Sequence, residues 1–336
     1  MKTVLLTGAS GFVGSHVLRH ILANTDWDVV CLVSFRHRGI TDRIRLAVDG
    51  YDDDLERVRV IKHDLTAPFS PVLTYEIGGI DYVINVASES HVDRSIEEPV
   101  PFIENNVSLV CNILEWARFS NIKKFIHVST DEVYGPAPHG HAHREWMDQY
   151  FPSNPYSASK AAQESIAYSY WRTYGVPLII TNTMNIIGEM QDTEKFVPMI
   201  IKKVLAGDTM TIHASPTGEI GSRFYLHARN QADALLHALT QPTPAYGESQ
   251  APQKFHVVGE REVNNLEMAQ MVADYVGKPL KYELVDFHSS RPGHDLRYAL
   301  DGDKIASTGW KAPLSLEQSL ERTVRWTLDR PEWLRL

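Results

Sequence analysis

Cysteine is scarce in this chain of 336 residues, in which Cys31 and Cys111 are the only two. Both have apolar neighbours, which indicates buried thiols in a reducing compartment rather than a disulfide. The sequence also lacks an apolar run of the roughly 20 residues needed to cross a bilayer. Its first residues enter a strand-like run without a basic leader and cleavage site. These absences predict a cytoplasmic protein with no membrane partner.

A concentrated run of basic residues is missing as well. Lys and Arg number 33 against 42 Asp and Glu, which gives a formal net charge of −9. Nucleic-acid phosphates require a concentrated positive surface, so we expect no nucleic-acid partner. A small anionic ligand remains compatible with this charge. The hydrophobic content of 43% and the charged content of 22% are ordinary for a globular enzyme.

Short apolar runs alternate with helix-length segments through the first half of the chain. They predict strands at 3–7, 28–33, 58–62, 82–86, 124–129 and 178–182. This alternation is typical of an α/β fold with a doubly wound parallel sheet. Beyond Asn185, the predicted helices are near 195–206, 264–276 and 315–328, and the predicted strands are near 210–213, 254–258 and 280–284. We therefore predict a sheet domain over 1–184 and a smaller C-terminal α+β lobe over 185–336, some of which could return to the first domain.

A glycine-rich turn follows the first predicted strand and precedes a predicted helix. Glycines at this position allow a tight turn, close approach of the backbone to a pyrophosphate, and packing of the helix on the strand. The turn therefore predicts a Rossmann-type dinucleotide site, with a glycine turn without ligand as the alternative. The predicted cofactor contacts here are Gly8, Ser10, Gly11, Phe12, Val13 and Gly14.

The other predicted cofactor residues follow later strands. Asp64 and Leu65 follow the third strand and can reach an adenine amino group. Ala87 follows the fourth strand and lets the backbone pass close to the cofactor. The second strand lacks a following acid to bind an unphosphorylated ribose. Arg36 and Arg38 occupy that region instead, and guanidinium groups suit a 2′-phosphate. The two arginines favour NADP, but they are equally compatible with a solvated loop that binds no phosphate. The choice between NAD and NADP therefore stays open.

Acid–base groups are concentrated in two segments. Tyr156 and Lys160 are four residues apart in a predicted helix, so their side chains share one face. An ammonium beside a phenol stabilises the phenolate and lowers its pKa. Asp131 and Glu132 follow a buried strand, at the sheet edge where α/β proteins bind ligands. A solvated acidic turn is the alternative, but the neighbouring groups favour redox and acid–base chemistry at one site.

Three histidines alternate along the segment His139-Gly140-His141-Ala142-His143. Imidazoles can ligate zinc, but this loop is rich in Gly and Pro and has no thiolate nearby. We therefore interpret the histidines as solvated and predict no metal site.

The chain resembles the extended short-chain dehydrogenase/reductases, and among them the nucleotide-sugar 4,6-dehydratases typified by dTDP-glucose 4,6-dehydratase. Besides the glycine turn, the resemblance covers segments 87–96, 129–135, 156–160 and 291–299. Thr130-Asp131-Glu132 favours the dehydratases, because epimerases of the superfamily generally lack the adjacent acid pair. Arg223-Phe224-Tyr225 replaces the Arg-Asp-Trp usual in dTDP-sugar enzymes. The base and the sugar therefore stay open.

The resemblance implies conversion of a nucleotide-diphosphate hexose to its 4-keto-6-deoxy product, with NAD or NADP tightly bound and recycled. Tyr156 takes the proton of the sugar 4-hydroxyl, Lys160 tunes Tyr156 and holds the ribose, and Thr130 bonds near the same oxygen. Glu132 is then the base at C5, and protonated Asp131 is the acid for the departing C6 hydroxyl. Repulsion between neighbouring carboxyl groups can raise one of their pKa values to allow this.

The resemblance also implies a substrate site and an assembly. The implied substrate contacts are Ser88, Glu89, His91, Asn185, Lys195, Arg223 and Arg291. As alternatives to substrate binding, the charged residues could form surface ion pairs, and His91 could be a packed, hydrogen-bonded histidine. A homodimer is implied through helices at about 100–119 and 156–174. A nucleotide-sugar 4-epimerase and a non-catalytic dinucleotide-binding protein remain alternative functions.

Overall fold

The computed structural model describes residues 2–286 and 295–335. The strands are Thr3–Thr7 (β1), Asp28–Val33 (β2), Val58–Lys62 (β3), Tyr82–Asn85 (β4), Lys124–Thr130 (β5), Leu178–Thr183 (β6), Ile186–Ile187 (β7), Thr209–Ala214 (β8), Ser222–Phe224 (β9), Leu226–His227 (β10), Gln253–Val257 (β11), Glu262–Asn264 (β12) and Lys281–Asp286 (β13). The helices are Phe12–Asn24 (α1), Thr41–Val48 (α2), Pro71–Ile77 (α3), Val92–Glu97 (α4), Pro99–Arg118 (α5), Pro155–Tyr174 (α6), Phe196–Ala206 (α7), Ala228–Ala238 (α8), Asn265–Val276 (α9), Asp303–Ser307 (α10) and Leu316–Asp329 (α11). Short 3-10 helices cover Asp52–Arg57, Asp131–Tyr134 and Pro331–Arg335.

Seven parallel strands form the central sheet, in the order β11-β6-β5-β4-β1-β2-β3. The predicted doubly wound sheet is therefore confirmed. Strand order reverses beside β1, which pairs with β2 on one side and β4 on the other. In open parallel sheets, ligands bind at such a reversal, in the crevice that lies outside the carboxyl ends of the strands.

Burial on both faces explains why the sheet strands are apolar runs rather than alternating ones. Successive residues of β1 point to opposite sides, so Val4 and Leu6 pack in one core cluster and Leu5 in another. The first cluster also contains side chains of α1 and α8, and the second contains side chains of α5 and α6. A third cluster joins α7, α9 and α11 in the C-terminal lobe.

The strand β11 returns to the main sheet, although the sequence interpretation grouped 254–258 with the smaller lobe and allowed only in general terms that some of that lobe could return. It pairs in parallel with β6 at the edge of the main sheet. Phe255 and Val257 pack in the same core cluster as α1, and Lys254 is fully buried with an ion-pair partner in α6. An apolar run predicts burial but not which strand it joins. Among the described residues, no helix combines the length and apolarity that crossing a bilayer requires.

Candidate active site

A cleft of about 1100 Å³ lies at the carboxyl end of the sheet. Its walls include every predicted cofactor residue: Gly8, Ser10, Gly11, Phe12, Val13, Gly14, Arg36, Arg38, Asp64, Leu65, Ala87, Tyr156 and Lys160. They also include the predicted catalytic residues Thr130, Asp131 and Glu132 and the predicted substrate residues Ser88, Glu89, His91, Asn185, Lys195 and Arg223. Arg291 lies outside the described residues. The fold therefore brings both sets of groups to one cavity.

The glycine turn at one end of the cleft has room only for glycine at two positions. Gly8 has a φ of +74°, and a Cβ on Gly14 would lie 2.0 Å from the carbonyl oxygen of Gly8. The helix α1 begins after Gly11 with no side chain capping its amides. An uncapped helix N-terminus beside a close backbone turn suits the pyrophosphate of a dinucleotide.

The arginines after β2 both have carboxylate partners. Arg36 forms an ion pair with Asp64, and Arg38 forms one with Glu194. Their charges are therefore compensated within the chain. This weakens the sequence argument for NADP, which needs guanidinium groups available to a 2′-phosphate.

The acid pair lies where β5 ends and a 3-10 helix begins. Thr130 Oγ1 donates to Asp131 Oδ1 at 2.9 Å, and the amide of Glu132 donates to Thr130 Oγ1 at 3.3 Å. Asn154 Nδ2 donates to Glu132 Oε2 at 3.3 Å. Asp131 is 4% exposed, so the pair is not a solvated turn.

Burial sets the ionisation of this pair. It raises the pKa of Asp131 to about 6, although the Thr130 hydrogen bond and the charge of Arg223 act to lower it. Burial and then the charge of Asp131 raise the pKa of Glu132 to about 7. Between these values the two carboxyl groups together retain a proton. The resemblance implies that this proton lies on Asp131.

The start of α6 positions the tyrosine and the lysine. The side chain of Asn154 accepts from the amide of Ser157, whose hydroxyl accepts from the amide of Asn154. This capping box fixes the first turn of the helix, which carries Tyr156. Lys160 follows one turn later and donates to the carbonyl of Val128 at 2.8 Å.

Burial shifts the pKa values of both Tyr156 and Lys160. Burial and then the charge of Glu132 raise the pKa of Tyr156 above its ordinary value, although Thr130 acts to lower it. Burial lowers the pKa of Lys160 to about 7, against the raising charge of Glu164. The predicted stabilisation of a Tyr156 phenolate by Lys160 stays a prediction.

A buried polar network behind Thr130 was missed by the sequence analysis. Asn182 Nδ2 donates to the Thr130 carbonyl at 2.9 Å and to Glu164 Oε1 at 2.7 Å. Lys254 Nζ lies 2.9 Å from Glu164 Oε2. Asn182 and Lys254 are polar residues inside apolar strands, and that signal could have identified them. The network holds the end of β5 against α6.

The predicted substrate residues have internal contacts of their own. Arg223 donates to the carbonyls of Ser222, Asp295 and Leu296, and its guanidinium lies 4.6 Å from the ring centroid of Tyr298. A rigidly held guanidinium at the cleft wall is suited to bind an anion.

Two of the other predicted substrate residues lie at helix starts near the cleft. Lys195 precedes α7, and His91 caps α4 by accepting from the amide of Arg94. Glu89 forms an ion pair with Arg94 at 2.9 Å. The His91 side chain is partly exposed and lies 3.3 Å from Glu194, and its role in substrate binding stays a prediction.

Known proteins resemble the chain over nearly its whole length. Residues 4–249 match the NAD dependent epimerase/dehydratase family. The dTDP-glucose 4,6-dehydratase of Shigella flexneri is 33% identical, with 98% of this chain and 94% of that protein covered. The corresponding Haemophilus influenzae protein is 32% identical, with 98% of each covered.

Solved structures agree with the sequence relatives. The crystal structure of a dTDP-glucose 4,6-dehydratase from Streptomyces venezuelae with NAD bound has a TM-score of 0.85 and 31% identity, covering 99% of this chain and 98% of that one. A UDP-glucose 4-epimerase from Thermus thermophilus in complex with NAD has a TM-score of 0.84 and 26% identity, covering 98% of this chain and 99% of that one. The fold is therefore common to dehydratases and epimerases, and the site must separate them.

Proposed function

The chain belongs to the NAD dependent epimerase/dehydratase family, and from that premise we propose that it is a nucleotide-sugar 4,6-dehydratase. This lyase converts a nucleotide-diphosphate hexose to the 4-keto-6-deoxyhexose. The observation that carries the proposal is the buried pair Asp131 and Glu132 beside Tyr156 in one cleft. A 4-epimerase needs Tyr156 and Lys160 but has no task for two adjacent acids.

The residues divide the proton transfers among them. Tyr156, in hydrogen-bond contact with Thr130, takes the proton of the sugar 4-hydroxyl. A bound nicotinamide supplies the hydride acceptor for C4 and the hydride donor for C6. The 4-ketone acidifies the C5 hydrogen, which Glu132 removes, and Asp131 protonates the C6 hydroxyl so that it leaves as water. A proton then returns to C5.

These roles require the retained proton to lie on Asp131 when substrate is bound. Thr130 donates to Asp131, and the charge of Asp131 raises the pKa of Glu132. The pKa values of both carboxyl groups are raised, so the pair retains one proton whose position depends on the hydrogen bonds to each group. A bound sugar hydroxyl that accepts from Asp131 holds that proton on Asp131.

We propose NAD as the cofactor, bound tightly and recycled in each turnover. A 2′-phosphate near Arg36 and Arg38 would have to displace the carboxylates of Asp64 and Glu194. We expect NAD⁺ to raise the melting temperature of cofactor-stripped protein more than NADP⁺ does at equal concentration. A larger rise with NADP⁺ would restore the preference that the arginines suggested in the sequence.

The nucleotide diphosphate of the substrate is proposed to lie between the two parts of the chain predicted at 1–184 and 185–336. Lys195 and Arg223 supply cationic donors and Asn185 an amide at this wall of the cleft. Ser88, Glu89 and His91 line the same cleft after the end of β4, where the carbonyl of Ser90 lies 3.5 Å from Lys195 Nζ. Arg291 keeps its proposed role through the resemblance alone.

We also propose a cytoplasmic homodimer. Cys31 and Cys111 are both free, as expected in a reducing compartment. The proposed interface uses α5 and α6. Trp171 cannot contribute there because it is 1% exposed and packs in the core, whereas Ile166 and Tyr170 are only partly buried.

A panel of nucleotide hexoses tests the function directly. We expect at least one of dTDP-, UDP-, GDP- and CDP-glucose or mannose to lose the mass of one water without net consumption of cofactor. An epimeric hexose of unchanged mass would instead support the epimerase. If no hexose changed in the presence of bound dinucleotide, the non-catalytic alternative would be favoured.

A further inference from the structure

Three potential metal ligands meet in the loop between the acid pair and α6. His141 Nε2 lies 3.2 Å from Asp148 Oδ1, and His143 Nδ1 lies 3.9 Å from the same oxygen. The ligand atoms of these three residues are all within 4.8 Å of one another. We call them the histidine–aspartate trio. None of them lines the active-site cleft, so the trio is separate from the catalytic groups.

The central observation is the burial of His143. The residue is 8% exposed, and neither ring nitrogen makes a hydrogen bond of ordinary geometry. Its ring stacks on Tyr134, with the ring centroids 5.1 Å apart. Asp148 and the Pro136 carbonyl lie near the imidazole. A buried imidazole without a partner is costly unless a ligand satisfies it.

Main-chain contacts hold the trio in place. The amide of His143 donates to Ala299, and its carbonyl accepts from Asp301. The carbonyl of His141 accepts from Arg297 at 2.8 Å. These bonds fix the backbone before any ligand binds, as a preformed site requires.

The carboxylate of Asp148 is oriented as well. The amide of Arg144 donates to Asp148 Oδ2 at 2.7 Å, which leaves Oδ1 directed at the two imidazoles. One carboxylate oxygen is thus held by the backbone and the other is available as a ligand.

We propose that the histidine–aspartate trio binds one Zn²⁺ ion. Two imidazoles and a carboxylate form a common zinc set, with water in the fourth position. Zinc–ligand bonds of about 2.0–2.1 Å place tetrahedral ligand atoms about 3.3 Å apart. The His141–Asp148 distance already has this value, and the other two separations must close by no more than about 1.5 Å. His143 is buried, in contrast to the sequence interpretation of the loop histidines as solvated, whereas His139 and His141 are exposed or partly exposed.

The ion has a structural role in this proposal. The trio lies in the segment between Glu132 and Asn154, whose side chains are hydrogen-bonded to each other. A metal that crosslinks 141, 143 and 148 restrains this segment, so binding stabilises the folded chain by an amount that grows with the logarithm of the free Zn²⁺ concentration above the dissociation constant.

Calorimetric titration with Zn²⁺ of tag-free, chelator-treated full-length protein tests the site. We expect one equivalent to bind, a rise in melting temperature, and the visible absorption of a tetrahedral complex when Co²⁺ replaces Zn²⁺. His141→Gln should weaken Zn²⁺ binding at least about 10-fold, and its partly exposed side chain makes misfolding no concern. Asp148→Asn should act in the same direction.

His139→Gln is the matched control, because His139 belongs to the same loop but is exposed and pairs with Glu219. It should leave the Zn²⁺ affinity unchanged. The proposal is overturned if no saturable binding occurs, or if His139→Gln and His141→Gln weaken binding equally. Turnover of nucleotide hexose does not enter this test, so its outcome is independent of the proposed function.

Discussion

Glu132→Gln should abolish formation of the 4-keto-6-deoxy product while still permitting oxidation at C4. Gln cannot accept the C5 proton, but Tyr156, Thr130 and Lys160 are untouched. Loss of a general base costs about 10²–10⁴ in rate. The measurement is product formation by mass spectrometry, together with near-ultraviolet absorbance for reduced dinucleotide that accumulates with substrate. Unchanged product formation would refute the role of Glu132.

Asp131→Asn is the matched comparison, since it removes the neighbouring acid and keeps the volume. If Asp131 is the acid and Glu132 the base, Asp131→Asn should slow water loss and still allow the C5 hydrogen to exchange with solvent. Glu132→Gln should prevent that exchange. The reversed pattern would exchange the two roles.

The stability of Glu132→Gln separates lost chemistry from lost folding. The folded chain raises the pKa of Glu132 from 4.5 to about 7, so the unfolded chain binds fewer protons at this group between those values. Ionised Glu132 therefore destabilises the fold as pH rises through that window, by at most about 3 kcal/mol. We expect Glu132→Gln to melt at a higher temperature than the parent at pH 8, with the difference fading towards pH 4.5. A lower melting temperature at pH 8 would show that the carboxylate has a structural role.

Tyr156→Phe should suppress even the first step. The phenolate oxygen receives the proton of the sugar 4-hydroxyl, and without it the C4 ketone and the reduced dinucleotide form far more slowly. We expect a loss of about 10²–10⁴ in the rate of C4 oxidation. The ring should stay in place, because it packs edge-on against Phe102 with the ring centroids 6.2 Å apart. Single-turnover absorbance measures this step.

Tyr168→Phe provides the control on the same helix. The Tyr168 hydroxyl donates only to the carbonyl of Gln250, at 3.0 Å, and Tyr168 does not line the cleft. This variant should oxidise substrate at the parental rate. A Tyr156→Phe protein that kept the parental rate of C4 oxidation would require a different base.

The positions of the site residues could be predicted from the sequence because they follow from local rules. The glycine turn ends the first strand, and Asp131 and Glu132 end the fifth, so the parallel sheet places them at one edge. The pairing of β11 with β6 could not be predicted, since apolar residues such as Phe255 and Val257 are expected in any buried strand. Hydrophobic periodicity predicts that a strand is buried but not which strand it pairs with.

The energetics of the site depend on contacts between distant segments. The pKa values of Tyr156 and Lys160 are set by burial and by partners that only folding supplies. Arg36 and Arg38 meet Asp64 and Glu194 across 28 and 156 positions of the chain. The sequence could therefore name these residues but not their charge states.

The turnover of dTDP-glucose, or of whichever hexose the panel selects, in heavy water tests the elimination step most directly. Mass spectrometry and proton magnetic resonance of the purified product give the water loss and the label position. The account predicts a 4-keto-6-deoxy sugar with solvent deuterium at C5, because the C5 proton leaves to Glu132 and is replaced. A dehydrated product with hydrogen retained at C5, or a hexose that keeps its C6 hydroxyl, would contradict it.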